Sequence, residues 1–515
     1  MRRGPRSVVE VASLALMAYL LLCWVSQATT EIDPFDGAQN TLVARNLAFR
    51  GAWAFRNYDR WEVWSAETTT GPTVLLPIAA AYRLMGDRPF LPNVVCALLC
   101  GALVFAAWGL ARRTFATGLA AAGFLTTVGL MATTTVKPFL QFYRPLGEVP
   151  AGLLVLIGTL LAVDGEGQGR HARARMWLSG VAVGLAVCAK LVAALPAAAL
   201  GATLALLPGL RPTRLGALAR WGGGLVLVLL ATEFFRLVQL GSWAAYAQNW
   251  REALRFLSVQ GSGLGRGPVG LQVPSVWARL QTLGEHLGWF ALPLGGALLA
   301  WPRVAYAGVR PAAGAALRIA TVLGFAVVVM LGWWLFLSDR GWVRHALIAL
   351  LLLPFYAHFA SAGLFAPAGR AGRAAWVAWL GVLLACLCLS PPTVTTRPHP
   401  AWTVAPRTIA LFDTAAAIRR IELEHPAARF WAAGHWRNFD LQTQVDVQWW
   451  NLLASAHRLH LRFDGDDFLV TSEVFNWERN PLTTAIASAN ARNVAHQAAP
   501  FSIYRLTQWP GRPGR

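Results

Sequence analysis

The chain has 515 residues and a formal net charge of +20, yet 56% of its residues are hydrophobic and only 14% are charged. Apolar runs of a length that suits a bilayer core of about 30 Å recur along it, which argues against a string of soluble domains. All six cysteines (Cys23, Cys96, Cys100, Cys188, Cys386, Cys388) lie inside apolar runs, which argues against a disulfide framework and against a cysteine metal site.

In chain order, the basic start MRRGPRS precedes an apolar helix over about 8–27. A signal peptide shares this pattern, but no small-x-small cleavage site stands out, so a retained anchor with a cytoplasmic start is expected. Residues 28–72 then form a polar loop with six acids (Glu31, Asp33, Asp36, Asp59, Glu62, Glu67) against four arginines. Within it, Leu42, Val43 and Leu47 suit a short amphipathic helix on the membrane surface, with Asp36 at its start. Residues 72–86 are apolar but short and carry Pro72 and Pro77, which suits a re-entrant or surface segment. Further spans are expected at 91–111, 118–134, 149–163, 176–210 (two short spans turning near Lys190 or Pro196), 221–240, 287–301, 317–337, 345–363 and 374–391.

The basic segments at Arg112–Arg113, 164–175, 211–220, Arg303 to Arg318 and Arg370 to Arg373 orient these runs by the positive-inside rule. The result is an α-helical polytopic membrane protein of about eleven spans, range about 10–13, with its N-terminus in the cytoplasm. The first loop, Glu148, the 241–286 loop, the segment SDRGWVRH and the tail then lie outside. The tail, 392–515, holds 13 Arg and 10 acids without a long apolar run. RFWAAGHW, DFLVTSE and FSIYRL read as strands and TAAAIRRIELEH as a helix, giving a small extracytoplasmic α/β domain after a transmembrane domain over 1–391. Its near-balanced charge leaves the net positive charge in the membrane part, where it suits lipid headgroups and not nucleic acid.

Three groups of residues can carry chemistry. Asp36, a carboxylate at a helix start beside a low-dielectric boundary, can serve as general base towards a hydroxyl, or act only as a helix cap. Glu148 opens an apolar span, where an ionisable group is expensive unless paired or functional; Arg144, four residues earlier, is a candidate partner one helical turn away. Phosphate ligands form the third group. Lys190 is one of only two lysines and sits inside an apolar run, while Arg340, Arg344 and His345 open another span. Arg offers a bidentate fork and Lys a point charge to a phosphate; the alternative is snorkelling to headgroups. GSGLGRG (261–267) lacks the strand-turn-helix context of a nucleotide loop. His435, Trp436, Trp449 and Trp450 suit packing more than sugar contact, and no close spacing of His, Asp and Glu makes a metal site.

The order DPFDGAQNTLVARNLAFRG after the first span, then TTTGPTVLLPIAAAYRLMGDRPFLPNVVCALLCGALVFAAWGLARR, FYRPLGEVPAGLLVLIGTLLA, GVAVGLAVCAKLVAALP and DRGWVRHALIALLLLP, resembles the GT-C class of membrane glycosyltransferases. That group includes the protein O-mannosyltransferases and the bacterial aminoarabinose transferase. The resemblance covers about 8–390 and is one of order and spacing. It implies transfer of a sugar from a polyprenyl-phosphate donor to a glycan, lipid or protein acceptor at the outer face of the bacterial cytoplasmic membrane, with inversion. It further implies Asp36 as catalytic base, Glu148 as a second catalytic acid that positions the acceptor or assists a divalent cation, and Lys190, Arg344 and Arg144, with His345 and Arg340, as ligands of the donor phosphate. Where many relatives carry a basic residue, a histidine or paired prolines, this chain has Thr70, Gly71 and Pro72, and Asp36 is followed by Gly37 and not by a second acid. A transporter or flippase, which would show inverted repeats and broken helices, and a non-catalytic scaffold are the rival readings.

Overall fold

The computed structural model describes residues 8–30, 36–57, 60–65, 68–114, 142–164, 170–206, 214–260, 275–310, 313–338, 343–365, 406–432, 466–472 and 486–507, with single positions or short stretches in 374–389 and 441–449. The expected span at 118–134, most of that at 374–391, the 261–267 loop, Arg340, His435, Trp436 and Trp450 lie outside the described residues, as does the side chain of Arg344. Contacts divide the chain into two compact units, Met1–Gln27 with Thr69–Pro77 and Val94–Pro400, and Ala28–Thr68 with Ile78–Asn93 and Ala401–Arg515.

The first unit is helical. It contains α1 (Val8–Ala28), the first half of α3 (Pro72–Met85), α4 (Leu91–Thr114), α5 (Glu148–Asp164), α6 (Arg170–Ala189), α7 (Ala194–Leu206), α8 (Arg214–Leu240), α9 (Trp243–Gln260), α10 (Val276–Leu287), α11 (Ala291–Leu299), α12 (Trp301–Gly308), α13 (Ala315–Phe336) and α14 (Leu347–Phe365). Five helices among the described residues are long and apolar enough to cross a membrane: Leu91–Arg113, Arg170–Ala189, Leu215–Leu240, Ala315–Phe336 and Leu347–Leu364. Helices in lipid associate by close packing and not by water exclusion. Accordingly, α6 meets α8 so closely that a methyl on Gly180 would overlap the Trp221 carbonyl oxygen. The hydroxyl of Ser179 donates to the Gly158 carbonyl at 2.6 Å, joining α6 to α5.

One expected span changes here, and one expected break is found. The run at 287–301 is not one helix: a 3-10 turn (Gly288–Phe290) leads into the nine-residue α11, and α12 begins at Trp301 with proline in its first turn. Proline lacks the N–H that would continue the helix, so it opens a new one instead. The run at 176–210 does break at Lys190, one of the two expected places, and separates α6 from a 3-10 turn (Leu191–Ala193) and α7.

In the second unit, α2 (Asp36–Arg50) is followed by an antiparallel hairpin of β1 (Ala54–Asn57) and β2 (Arg60–Val63), paired from Ala54↔Val63 to Asn57↔Arg60. Here α2 is not a one-sided surface helix. Its polar Asn40, Thr41, Arg45 and Asn46 are buried along with Leu42 and Val43, and two of them find tertiary partners: Asn46 donates to the Ala54 carbonyl at 2.9 Å and Arg45 pairs with Asp87. The C-terminal part packs α15 (Pro406–Glu424) on a five-stranded sheet of β3 (Arg429–Ala432), β4 (Val447–Trp449), β5 (Asp467–Ser472), β6 (Val494–Ala498) and β7 (Phe501–Leu506), in the order β4-β3-β5-β7-β6. β3 runs parallel to β4 and β5, while β7 is antiparallel to β5 and β6. Leu411, Ala415 and Ile418 of α15, at helical spacing, meet Phe430, Phe468, Val470, Phe501 and Ile503 in one core.

Candidate active site

The most concentrated chemistry of the first unit sits where three chain segments meet. α6 stops at Ala189 because Lys190 takes an extended backbone (φ −154°, ψ 119°), and its N–H still closes onto the Ala186 carbonyl at 3.0 Å. The last carbonyls of a helix need donors from elsewhere. The Gly71 N–H supplies one, donating to the Ala189 carbonyl at 3.0 Å. Gly147, immediately ahead of α5, donates its N–H to the Thr70 hydroxyl oxygen at 3.1 Å. Both glycines are required by close approach: a methyl on Gly71 would overlap the Cys188 carbonyl oxygen, and one on Gly147 the Ala189 carbonyl oxygen. A further bond, from the Thr73 hydroxyl to the Leu185 carbonyl at 2.7 Å, clamps α3 to α6.

This junction places Lys190 Nζ 2.8 Å from Glu148 Oε1, with side chains 14% and 4% exposed. Two costly burials thus offset each other, and the positive end of the α5 macrodipole adds favourable potential at Glu148 in the first turn. The pairing is incomplete, since Glu148 Oε2 is buried without a hydrogen-bond partner among the described residues. A buried oxygen left unsatisfied is expensive, which is what a group with a further ligand would show.

The other sequence-predicted residues are distributed around the two units. Arg144 lies in the turn ahead of α5 and not on it, because the helix begins at Glu148. The expected helical-turn pairing with Glu148 is therefore replaced by Lys190. His345 and the backbone of Arg344 belong to a 3-10 turn (Val343–Ala346) that opens α14, with His345 Nδ1 3.3 Å from the Ser338 hydroxyl. α14 and α5 are direct neighbours, since a methyl on Gly152 would press on Leu351. Asp36 stands in the first turn of α2 in the second unit, partly exposed.

No group of three or more His, Cys, Asp or Glu side chains among the described residues is arranged to hold a metal ion. At Glu148 the Lys190 ammonium already occupies Oε1, so a divalent cation there would face a positive charge at contact range and does not fit. Sequence reasoning missed the part played by Thr70, Gly71 and Gly147. The signal was the TTTGP segment entering α3, a hydroxyl and a glycine ahead of a proline-started helix.

No protein-family model and no characterised protein matches the chain by sequence. Solved structures do match by fold. They include ArnT from Cupriavidus metallidurans bound to undecaprenyl phosphate (TM-score 0.61, 15% identity, 98% of this chain and 100% of that one) and the same protein in the apo state (TM-score 0.58, 15% identity, 97% and 98%). They also include the archaeal oligosaccharyltransferase AglB from Archaeoglobus fulgidus, in complex with an inhibitory peptide and a dolichol-phosphate (TM-score 0.54, 12% identity, 90% and 69%). The chain therefore has an ArnT-like fold, as the order of its segments implied.

Proposed function

We propose that the chain is a membrane glycosyltransferase that moves a sugar from a polyprenyl-phosphate carrier to an acceptor at the outer face of the bacterial cytoplasmic membrane. The observation that carries this reading is the buried Glu148–Lys190 pair at a helix break, in a fold shared with structures that hold undecaprenyl phosphate and dolichol-phosphate. An ammonium held near a low-dielectric interior by one carboxylate oxygen is suited to receive a second anion, the donor phosphate.

In this reading the Asp36 carboxylate takes the proton of the acceptor hydroxyl, whose oxygen bonds to the anomeric carbon while the bond from that carbon to the phosphate oxygen breaks, with inversion. Lys190 stabilises the charge gathering on the departing polyprenyl phosphate, helped by Arg144, by Arg344 and His345 at the entry to α14, and by Arg340. Glu148 fixes where the Lys190 ammonium stands, and offers Oε2 to the acceptor. The N-terminus is cytoplasmic, and the first loop and the tail are outside.

The test is transfer from a panel of labelled polyprenyl-phosphate sugars in membranes carrying wild type or Asp36→Asn at equal abundance. Loss of a general base lowers the rate about 100-fold or more. Equal transfer by both proteins refutes Asp36 as the base, and no transfer by wild type from any donor refutes the enzyme reading.

A further inference from the structure

A cavity of about 390 Å³ opens within the second unit, between the end of α3 with the turn that follows it and the C-terminal helix α15. Its walls are Tyr82, Asp87 and Pro89 on one side, and Phe412, Arg419 and Leu441 on the other. Phe412, Ala416 and Arg419 recur at helical spacing on α15, beside and not on the face that meets the sheet. The volume falls in the range of about 300–1,000 Å³ usual for small-ligand sites and has room for about one or two sugar rings.

The walls are ordered by contacts outside the cavity. Phe90 meets the Phe412 ring edge-on with centroids 6.0 Å apart, and Tyr82 is buried against Phe49. Arg419 Nε donates to the Thr443 carbonyl at 3.2 Å. Arg45 donates to Asp87 through Nε at 2.8 Å and through NH2 at 2.5 Å, and both bonds fall on Oδ2. Among the described residues Oδ1 of Asp87 receives no hydrogen bond, and the side chain is 43% exposed. The cavity thus combines a fixed aromatic and aliphatic wall with a carboxylate oxygen awaiting a donor and a guanidinium.

Charge narrows the ligand. A free anion would meet the Asp87 carboxylate, and a cation would meet Arg419 and the Arg45 behind Asp87. A neutral polyol satisfies both signs, since its hydroxyls donate to Asp87 and accept from Arg419 while the C–H face of the ring lies on Phe412. We propose that this cavity binds a neutral saccharide. That the saccharide is the acceptor glycan of the transfer reaction rests on the glycosyltransferase reading; the binding itself does not.

The test uses the full chain in detergent and saturation-transfer NMR with the methyl glycosides of glucose, galactose, mannose and N-acetylglucosamine as probes. At least one glycoside is expected to give ring-proton signals with wild type. Ala416→Trp, which fills the cavity from an exposed helix position, should abolish them, and Arg419→Gln, also at an exposed position, should weaken binding about tenfold. Gly109→Ala, at a first-unit position in open space, should leave them unchanged. No signal from any glycoside, signals that survive both cavity variants, or displacement by inorganic phosphate would each overturn the proposal. Binding that depends on the cavity in a protein without transfer activity upholds the saccharide site while refuting the enzyme reading, so the two fail separately.

Discussion

Replacing Glu148 by Gln and Lys190 by Met, singly and together, separates architecture from chemistry at the helix break. The two charges are 2.8 Å apart with side chains 4% and 14% exposed, so removing one strands the other in a poorly solvated place. Breaking a buried pair in this way costs about 3–5 kcal/mol, which should lower the unfolding midpoint of either single variant by about 5 °C or more. Removing both charges leaves no stranded ion, and a neutral pair of similar volume is expected to be within about 1 kcal/mol of wild type or better. Stability should therefore return in the double variant. Transfer should not return if the proposed role of Lys190 holds, because the ammonium assigned to the donor phosphate is gone. The assays are thermal unfolding in detergent and sugar transfer at several donor concentrations, so that KM and kcat are read apart. A double variant with wild-type transfer would reduce the pair to architecture and refute Lys190 as a phosphate ligand. Single variants as stable as wild type would refute the buried pairing itself.

At the same junction, Gly71→Ala and Gly147→Ala each drive a methyl into a backbone carbonyl, which only movement of the α6 terminus can relieve. Folded yield should fall severalfold, by a mechanism typically worth about 1–3 kcal/mol, whereas Gly109→Ala, in open space, should be neutral in the same size-exclusion measurement. In the sheet, Asp467 accepts from Arg429 NH2 at 2.8 Å and Trp431 Nε1 at 3.1 Å with its side chain 3% exposed. Asp467→Ala leaves the indole N–H without that acceptor and should destabilise the C-terminal part by about 1–3 kcal/mol, seen as faster proteolysis there than in α13 and α14.

What was legible in the sequence is what local physics decides. Apolar length located α4, α5, α13 and α14, and the strands of the tail followed from alternation at RFWA, DFLVTS and FSIYRL. The break in 176–210 was visible because a lysine in an apolar run is too expensive to pass unnoticed. Partners were not legible, because they depend on where distant backbone comes to rest. Arg144 looked like the neighbour of Glu148 only on the assumption that a helix already ran through it; α5 instead begins at Glu148, and Lys190 reaches the carboxylate because Gly147 lies against the Ala189 carbonyl. The same reason explains why α2 was misread as amphipathic: Arg45 and Asn46 look solvated until Asp87 and Ala54 arrive. The cavity residues are the limiting case, since Asp87 and Arg419 each look like ordinary surface charges. Only the packing of α15 beside the end of α3 turns them into the two rims of one site. A substitution there that leaves the fold intact and removes saccharide binding would therefore report on an arrangement that no local pattern encodes.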